Sequence, residues 1–311
     1  MEKSLVTETV NSATVRRQTA AMLFAFFAIY FVWGSTYLAI RVLVATVPPF
    51  YAAGLRFLFA GLCLYGWSRA RGFPSPSRSE WRNLSILGVL MFLIAYGGLF
   101  WAEKTIPSGV ASLLVATIPV WTAIFEIFVF KKDRLRFPVF VAILLGLIGV
   151  ALLAFRSGAG HINLLPCLAI LAAEISWSLG TVLSKGFALP AYKPMSAAGQ
   201  MITGGLLLLI TSALSGELHP WPHVNQQAAL ALLYLIAAGS VLAFTAYTWL
   251  LGRMPATTVS SYAYVNPVIA LAIGYWFGGE SLSLQIFLGA GLVLASVLLL
   301  LIKPATKVSS H

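Results

Sequence analysis

Residues 101–119 read WAEKTIPSGVASLLVATIP, and residues 249–267 read WLLGRMPATTVSSYAYVNP. Trp101, Pro107 and Pro119 recur 148 positions later as Trp249, Pro255 and Pro267, with both internal gaps unchanged. Each copy lies in a long apolar stretch, so the pattern reads as a duplicated membrane unit. Further matches follow in the same order. Trp33 and Arg41, eight apart, answer Trp177 and Lys185, also eight apart, and Ala52-Ala53-Gly54 after Pro49 answers Ala197-Ala198-Gly199 after Pro194.

Composition fixes the solvent. Hydrophobic residues are 59% of the 311 and charged residues only 9%, against roughly a quarter charged in a soluble domain. Runs near 20 apolar residues, enough to cross a hydrocarbon layer about 30 Å thick, occur at 20–44, 50–68, 84–103, 108–130, 137–155, 164–187, 194–213, 228–250, 257–277 and 284–302. These runs are continuously apolar and lack the short alternation of barrel strands, so they predict an all-α integral membrane protein with ten transmembrane helices. Splitting the chain near residue 160 leaves a first five-helix repeat at 20–155, a second at 164–302, and polar segments at 1–19 and 303–311. Because five is odd, the second repeat enters from the opposite side, and the halves are expected to be inverted. The first span exceeds the apolar core of a cleaved signal peptide and is expected to be retained.

The net charge of +11 is a topology signal. With cytoplasmic termini, 16 of the 20 Lys and Arg fall on the inner side, while Lys104 and Arg156 lie outside and Arg41 and Arg56 lie within spans. That asymmetry obeys the positive-inside rule and argues against a nucleic-acid partner. No nucleotide loop, hydrolase elbow or zinc-protease motif is present, and the spans contain no histidine. An enzyme, a cofactor and a metal site are therefore not expected. Cys63 and Cys167 both fall in spans and form no disulfide framework.

Trp33-Gly34-Ser35-Thr36-Tyr37, Pro107-Ser108-Gly109, Pro255-Ala256 and the run Ser261 to Pro267 resemble the EamA family of the drug/metabolite transporter superfamily. The resemblance covers nearly the whole chain. It implies a ten-helix fold with a central cavity and cytoplasmic termini in the bacterial inner membrane, and a function similar to export of amino acids and related metabolites.

Ionisable residues inside spans are the first functional candidates, because a charge at mid-bilayer is costly. Glu174 stands near the middle of its span, and Ser178, Thr181 and Lys185 continue its helical face. It is a candidate for a cargo ammonium or a proton, against a carboxyl held by neighbouring hydroxyls. Glu126 reads as an acid reaching toward Lys131 and Lys132. Arg56 suits a cargo carboxylate, with Glu103 the alternative partner. Tyr96, Trp101, Trp177, Tyr262 and Asn266 are candidate walls for an amphipathic or aromatic cargo. Pro119 and Pro267, deep in equivalent spans, are candidate gating hinges.

The expected function is a secondary exporter of small amphipathic metabolites, most of all amino acids, acting as a monomer or homodimer on a small-molecule substrate within the lipid bilayer. An importer or exchanger of a sugar-like or phosphorylated metabolite, a channel, and a non-transporting scaffold stay open as alternatives.

Overall fold

The computed structural model describes residues 16–130, 141, 144–146, 148, 149, 152, 164–219 and 224–301, and the described residues form helices and turns without strands. Eight helices are long and apolar enough to cross a membrane: α1 (Arg16–Val44), α2 (Pro49–Ala70), α3 (Arg78–Ala102), α4 (Ser108–Val129), α5 (Leu164–Gly186), α6 (Lys193–Leu214), α7 (Gln226–Leu251) and α8 (Ala256–Phe277). A further helix, α9, covers Leu284–Leu301. Most of the span expected at 137–155, and residues 1–15 and 302–311, lie outside the described residues.

Local chemistry sets the helix ends. Proline occupies or precedes the first turn of α2, α4, α6 and α8, where its missing N–H costs no intrahelical bond and its φ is already helical. Ser77 and Glu80 form a reciprocal capping box at α3, and Asn225 caps α7. Gly72 and Gly216, at φ 82° and 78°, end α2 and α6 in the left-handed region that side chains disfavour. Both ends close alike: Phe73 N–H donates to Ser68 O and Glu217 N–H to Ser212 O.

Contacts between turns assign them to two ends of the bundle. At one end Phe73 stacks on Tyr192 at 3.6 Å, Asn83 donates to Ala188 O, and Lys185 donates to Leu251 O and Met254 O. Arg69, Arg71, Arg78, Arg82, Lys193 and Arg253 also lie in or beside these turns, so this is the basic end. At the opposite end Glu217 accepts from Phe50 N and Tyr51 N, and Glu280 accepts from Ser108 N, Ser108 Oγ and Gly109 N. The carboxylates thus satisfy the orphan amides of α2 and α4 from loops over 160 residues away.

The helices α2 and α6 share the most extensive contact in the bundle. Small residues make the crossing close: a Cβ on Gly205 would sit 2.6 Å from Leu58 N, and one on Gly61 would sit 2.9 Å from Ile202 N. Large apolar side chains such as Phe24, Leu214 and Trp276 point outward and stay exposed, as a lipid-facing surface requires.

Three helices widen into π-helical turns: α1 at Ala28–Val32, α3 at Gly88–Tyr96 and α7 at Leu235–Leu242. Widening releases carbonyls from the regular ladder, and donors from other helices take them. Ser176 Oγ donates to Leu90 O at 2.8 Å, and Trp33 Nε1 donates to Gly239 O at 2.9 Å. The Asn266 amide, turned so that its nitrogen faces acceptors, donates to Tyr30 O at 2.7 Å. Two further helices are interrupted. A turn at residues 116–117 divides α4 and one at 260–261 divides α8, each on the N-terminal side of the expected proline kink. Pro119 therefore begins the second segment of α4, while Pro267 lies inside the second segment of α8.

Candidate functional site

A small cavity lies at the centre of the bundle, lined by α1, α3, α4, α5 and α8. The interruptions of α4 and α8 and the end of the π-helical stretch of α3 border it. Tyr96, Glu174, Trp177, Tyr262 and Asn266, expected as site residues from separate spans, line this one space. So do Trp33, Thr36 and Tyr37, which had been noted only as a motif.

Trp33 is the hub. Its ring lies 5.9 Å from Trp177 and 4.9 Å from Tyr262, both edge-on, and 5.2 Å from Tyr247. Trp177 in turn meets Tyr96 edge-on at 5.5 Å. Offset and edge-on contacts place the positive ring edge against a neighbour's negative face, so the rings hold each other while leaving apolar faces toward the cavity. Glu174 sits within this aromatic box, nearly buried. Among the described residues no hydrogen bond or ion pair reaches its carboxyl group. The hydroxyls expected to continue its polar stripe are used elsewhere: Ser178 donates to Ile118 O, and Thr181 donates to Trp177 O and bonds the Tyr247 hydroxyl. The stripe is thus tied up in packing, while the Glu174 carboxyl group and Trp177 Nε1 have no partner among the described residues.

Toward the basic end a vestibule is lined by Ser184, Lys185, Lys193, Gln200 and Tyr247. Tyr247 also touches Trp33, Trp177 and Tyr262. This fully buried ring, tethered through its hydroxyl to Thr181 Oγ1 at 2.5 Å, therefore lies between the vestibule and the rings of the cavity wall. Sequence reasoning missed Tyr247 because it sits in an ordinary apolar run. Its one signal was a position one helical turn after Ala243 on the face that follows a π-helical stretch, which hydropathy does not report.

Arg56 and Trp101 do not line the cavity. Arg56 is fully buried behind the wall, donating from Nε to Ser240 Oγ at 2.8 Å, with its guanidinium carbon 5.1 Å from the Tyr96 ring centre. Both its Nη atoms lack partners, as do both carboxyl oxygens of the buried Glu103. The pairing weighed for Arg56 and Glu103 is absent at 4.0 Å among the described residues. Trp101 is half-buried against the core. At the far end Arg41 Nε approaches Glu280 Oε1 at 3.6 Å. Glu126 is half-buried, and its expected partners Lys131 and Lys132 lie outside the described residues.

The EamA-like transporter family matches the chain twice, over residues 20–155 and 164–302. Over 288 residues the chain is 36% identical to an Escherichia coli K12 protein named uncharacterized inner membrane transporter YedA, with 91% of each chain covered. It is 27% identical over 283 residues to the uncharacterized transporter YvbV of Bacillus subtilis, with 90% of each covered. A crystal structure at 24% identity covers 91% of this chain and 96% of its own, with a TM-score of 0.65, and shows a likeness of fold. With eight described helices fit to cross a membrane and that inner-membrane relative, the chain is a multi-pass inner membrane protein. Matched over both long stretches of its sequence, it is a membrane transporter and belongs to the EamA-like transporter family.

Proposed function

We propose that the protein exports small amphipathic metabolites, amino acids above all, by alternating access between two inverted five-helix halves. The observation that carries this reading is an unpaired carboxyl group, Glu174, inside a cavity walled by Trp33, Tyr96, Trp177 and Tyr262. A carboxylate provides a partner for a cargo ammonium, and the ring faces provide apolar surface for a side chain. No lysine or arginine lines the cavity, which weighs against a phosphorylated cargo.

Inversion is supported by where the helices begin and end. Trp33 and Trp177 lie on α1 and α5, which run in opposite directions between the basic and opposite ends, as do α2 and α6. The starts of α3 and α7, at Arg78 and Gln226, and of α4 and α8, at Ser108 and Ala256, keep the 148-residue offset. The π-helical turns of α3 and α7 fall at matching positions. α4 leaves at the basic end while α5 begins at the opposite end, which supports a tenth span over 137–155. Both described chain ends approach the basic end, which the positive-inside rule places in the cytoplasm.

Counterflow in liposomes tests the reading. Purified protein loaded with one unlabelled candidate from a panel of amino acids, sugars and phosphorylated metabolites should accumulate the same labelled compound transiently, and should do so for neutral or aromatic amino acids. Accumulation of only a sugar or a phosphate ester would replace the cargo assignment. Flux without any counterflow would indicate a channel.

A further inference from the structure

A second concavity lies on the outer wall of the bundle at its basic end, away from the central cavity. It is a groove between α1, α2, α7 and the turn that leads into α6. Its walls are apolar: Phe24 from α1, Leu64 and Trp67 from α2, and Leu242 and Trp249 from α7. The apolar outer surface of a membrane protein meets acyl chains everywhere, so apolarity alone identifies nothing. Two features set this groove apart. It is concave, and its end carries two cations, Lys193 and Arg253.

The cations are placed for a headgroup. Lys193 opens α6, whose first turn has no side-chain cap, and its Cε lies where a Cβ on Gly252 would be 3.0 Å away. Arg253 lies over the Trp249 ring at 3.9 Å and spends one Nη1 donor on Trp249 O, so its remaining donors face outward. Stacking holds the guanidinium at the groove mouth while its charge stays exposed. A cationic mouth with apolar walls beyond it reproduces the complement of a phosphate and an acyl chain.

We propose that this groove binds one phospholipid with an anionic headgroup, its phosphate between Lys193 and Arg253 and an acyl chain against Leu64, Trp67 and Leu242. Basic pockets between helices on the inner leaflet side favour anionic over zwitterionic lipids through the extra negative charge. The groove also shares Lys193 and Gly252 with the vestibule below Tyr247. The bound headgroup therefore stands beside the inner mouth of the transport route, and lipid composition bears on flux as well as on stability.

The probe is dioleoylphosphatidylglycerol, with dioleoylphosphatidylcholine as the zwitterionic control and soluble glycerophosphoglycerol as the headgroup without chains. Thermal unfolding of the full-length protein in detergent should shift upward by several degrees with the anionic lipid and by little with either control. The double variant Lys193→Gln/Arg253→Gln should lose the shift. Arg78→Gln/Arg82→Gln, which removes two exposed cations from the same end outside the groove, should keep it. Ala246→Trp fills the groove without touching a cation and should also abolish the shift while leaving a folded, monodisperse protein. Equal shifts with both phospholipids, a full shift with the soluble headgroup, or retention of the shift in the Lys193/Arg253 variant would each overturn the proposal.

Discussion

Trp33 and Trp177 meet edge to face at the centre of the molecule, with ring centres 5.9 Å apart. They stand 144 positions apart in the sequence, each near the middle of a membrane-crossing helix, and both line the cavity that holds Glu174. The contact fastens α1 to α5 at the wall of that cavity. Edge-to-face pairing sets the edge of one ring against the face of the other and fixes both orientations.

Trp33→Ala, Trp177→Ala and Tyr262→Ala should each weaken transport of an aromatic amino acid by roughly three- to tenfold, the worth of one well-placed aromatic contact. Alanine or threonine should lose less, since less apolar area is in play. Trp101→Ala, outside the cavity, should leave the ratio of large to small cargo unchanged. Competition measurements in proteoliposomes read this ratio. Equal losses for all cargo sizes at Trp33 and Trp177 would assign these rings to packing alone.

Glu174→Gln keeps the side chain's size and removes its charge. If the carboxyl group meets the cargo ammonium, apparent affinity should fall at every pH by at least tenfold, as expected for a charged hydrogen bond of about 1.5–3 kcal/mol. If the same group carries a coupled proton, the variant should also lose its acceleration by an imposed pH gradient. Wild-type affinity with a wild-type pH response would return Glu174 to a structural role.

Pro119 and Pro267 follow the breaks in α4 and α8, where the missing N–H leaves the preceding turn open. Pro119→Ala and Pro267→Ala should fold and insert normally but turn over several-fold more slowly, because a continuous helix cannot bend at the cavity. Single-turnover and steady-state rates measured together separate slow gating from weak binding. Wild-type turnover in both variants would exclude the hinge.

Much of this architecture was legible beforehand. Unbroken apolar runs fix helix existence, so the spans expected at 108–130 and 164–187 appear as Ser108–Val129 and Leu164–Gly186. Five of the seven residues expected to bind cargo converge on one cavity, because polar or aromatic groups inside spans have few other places to go. The π-helical turns were not legible, since a local change in winding leaves hydropathy untouched. Nor were the caps that Glu217 and Glu280 place on α2 and α4, because nothing in a loop acid reveals a partner more than 160 positions away. Arg56 illustrates the limit of single-residue reasoning. Its charge suggested a cargo site, while the fold places it behind Tyr96.

Glu280 offers a test of the cap that it places on α4. It caps α4 through Ser108 and Gly109 and approaches Arg41. Glu280→Gln retains a weaker acceptor and should cost about 1–2 kcal/mol of stability, the range for losing a helix cap. The loss should appear as a lower Tm in detergent. An unchanged Tm would show that the cap contributes nothing to stability.

Alternating access through the Glu174 cavity is tested most directly by the accessibility of one wall position from each side. Val115 lines the cavity and is nearly buried, and Val115→Cys in a background of Cys63→Ser and Cys167→Ser gives a single reporter. In right-side-out and inside-out vesicles a membrane-impermeant maleimide should label Cys at this position from both sides, and an amino acid cargo gradient should raise labelling on one side as it lowers labelling on the other. Labelling from one side only, unaffected by cargo, or simultaneous labelling from both sides at full rate, would contradict alternating access.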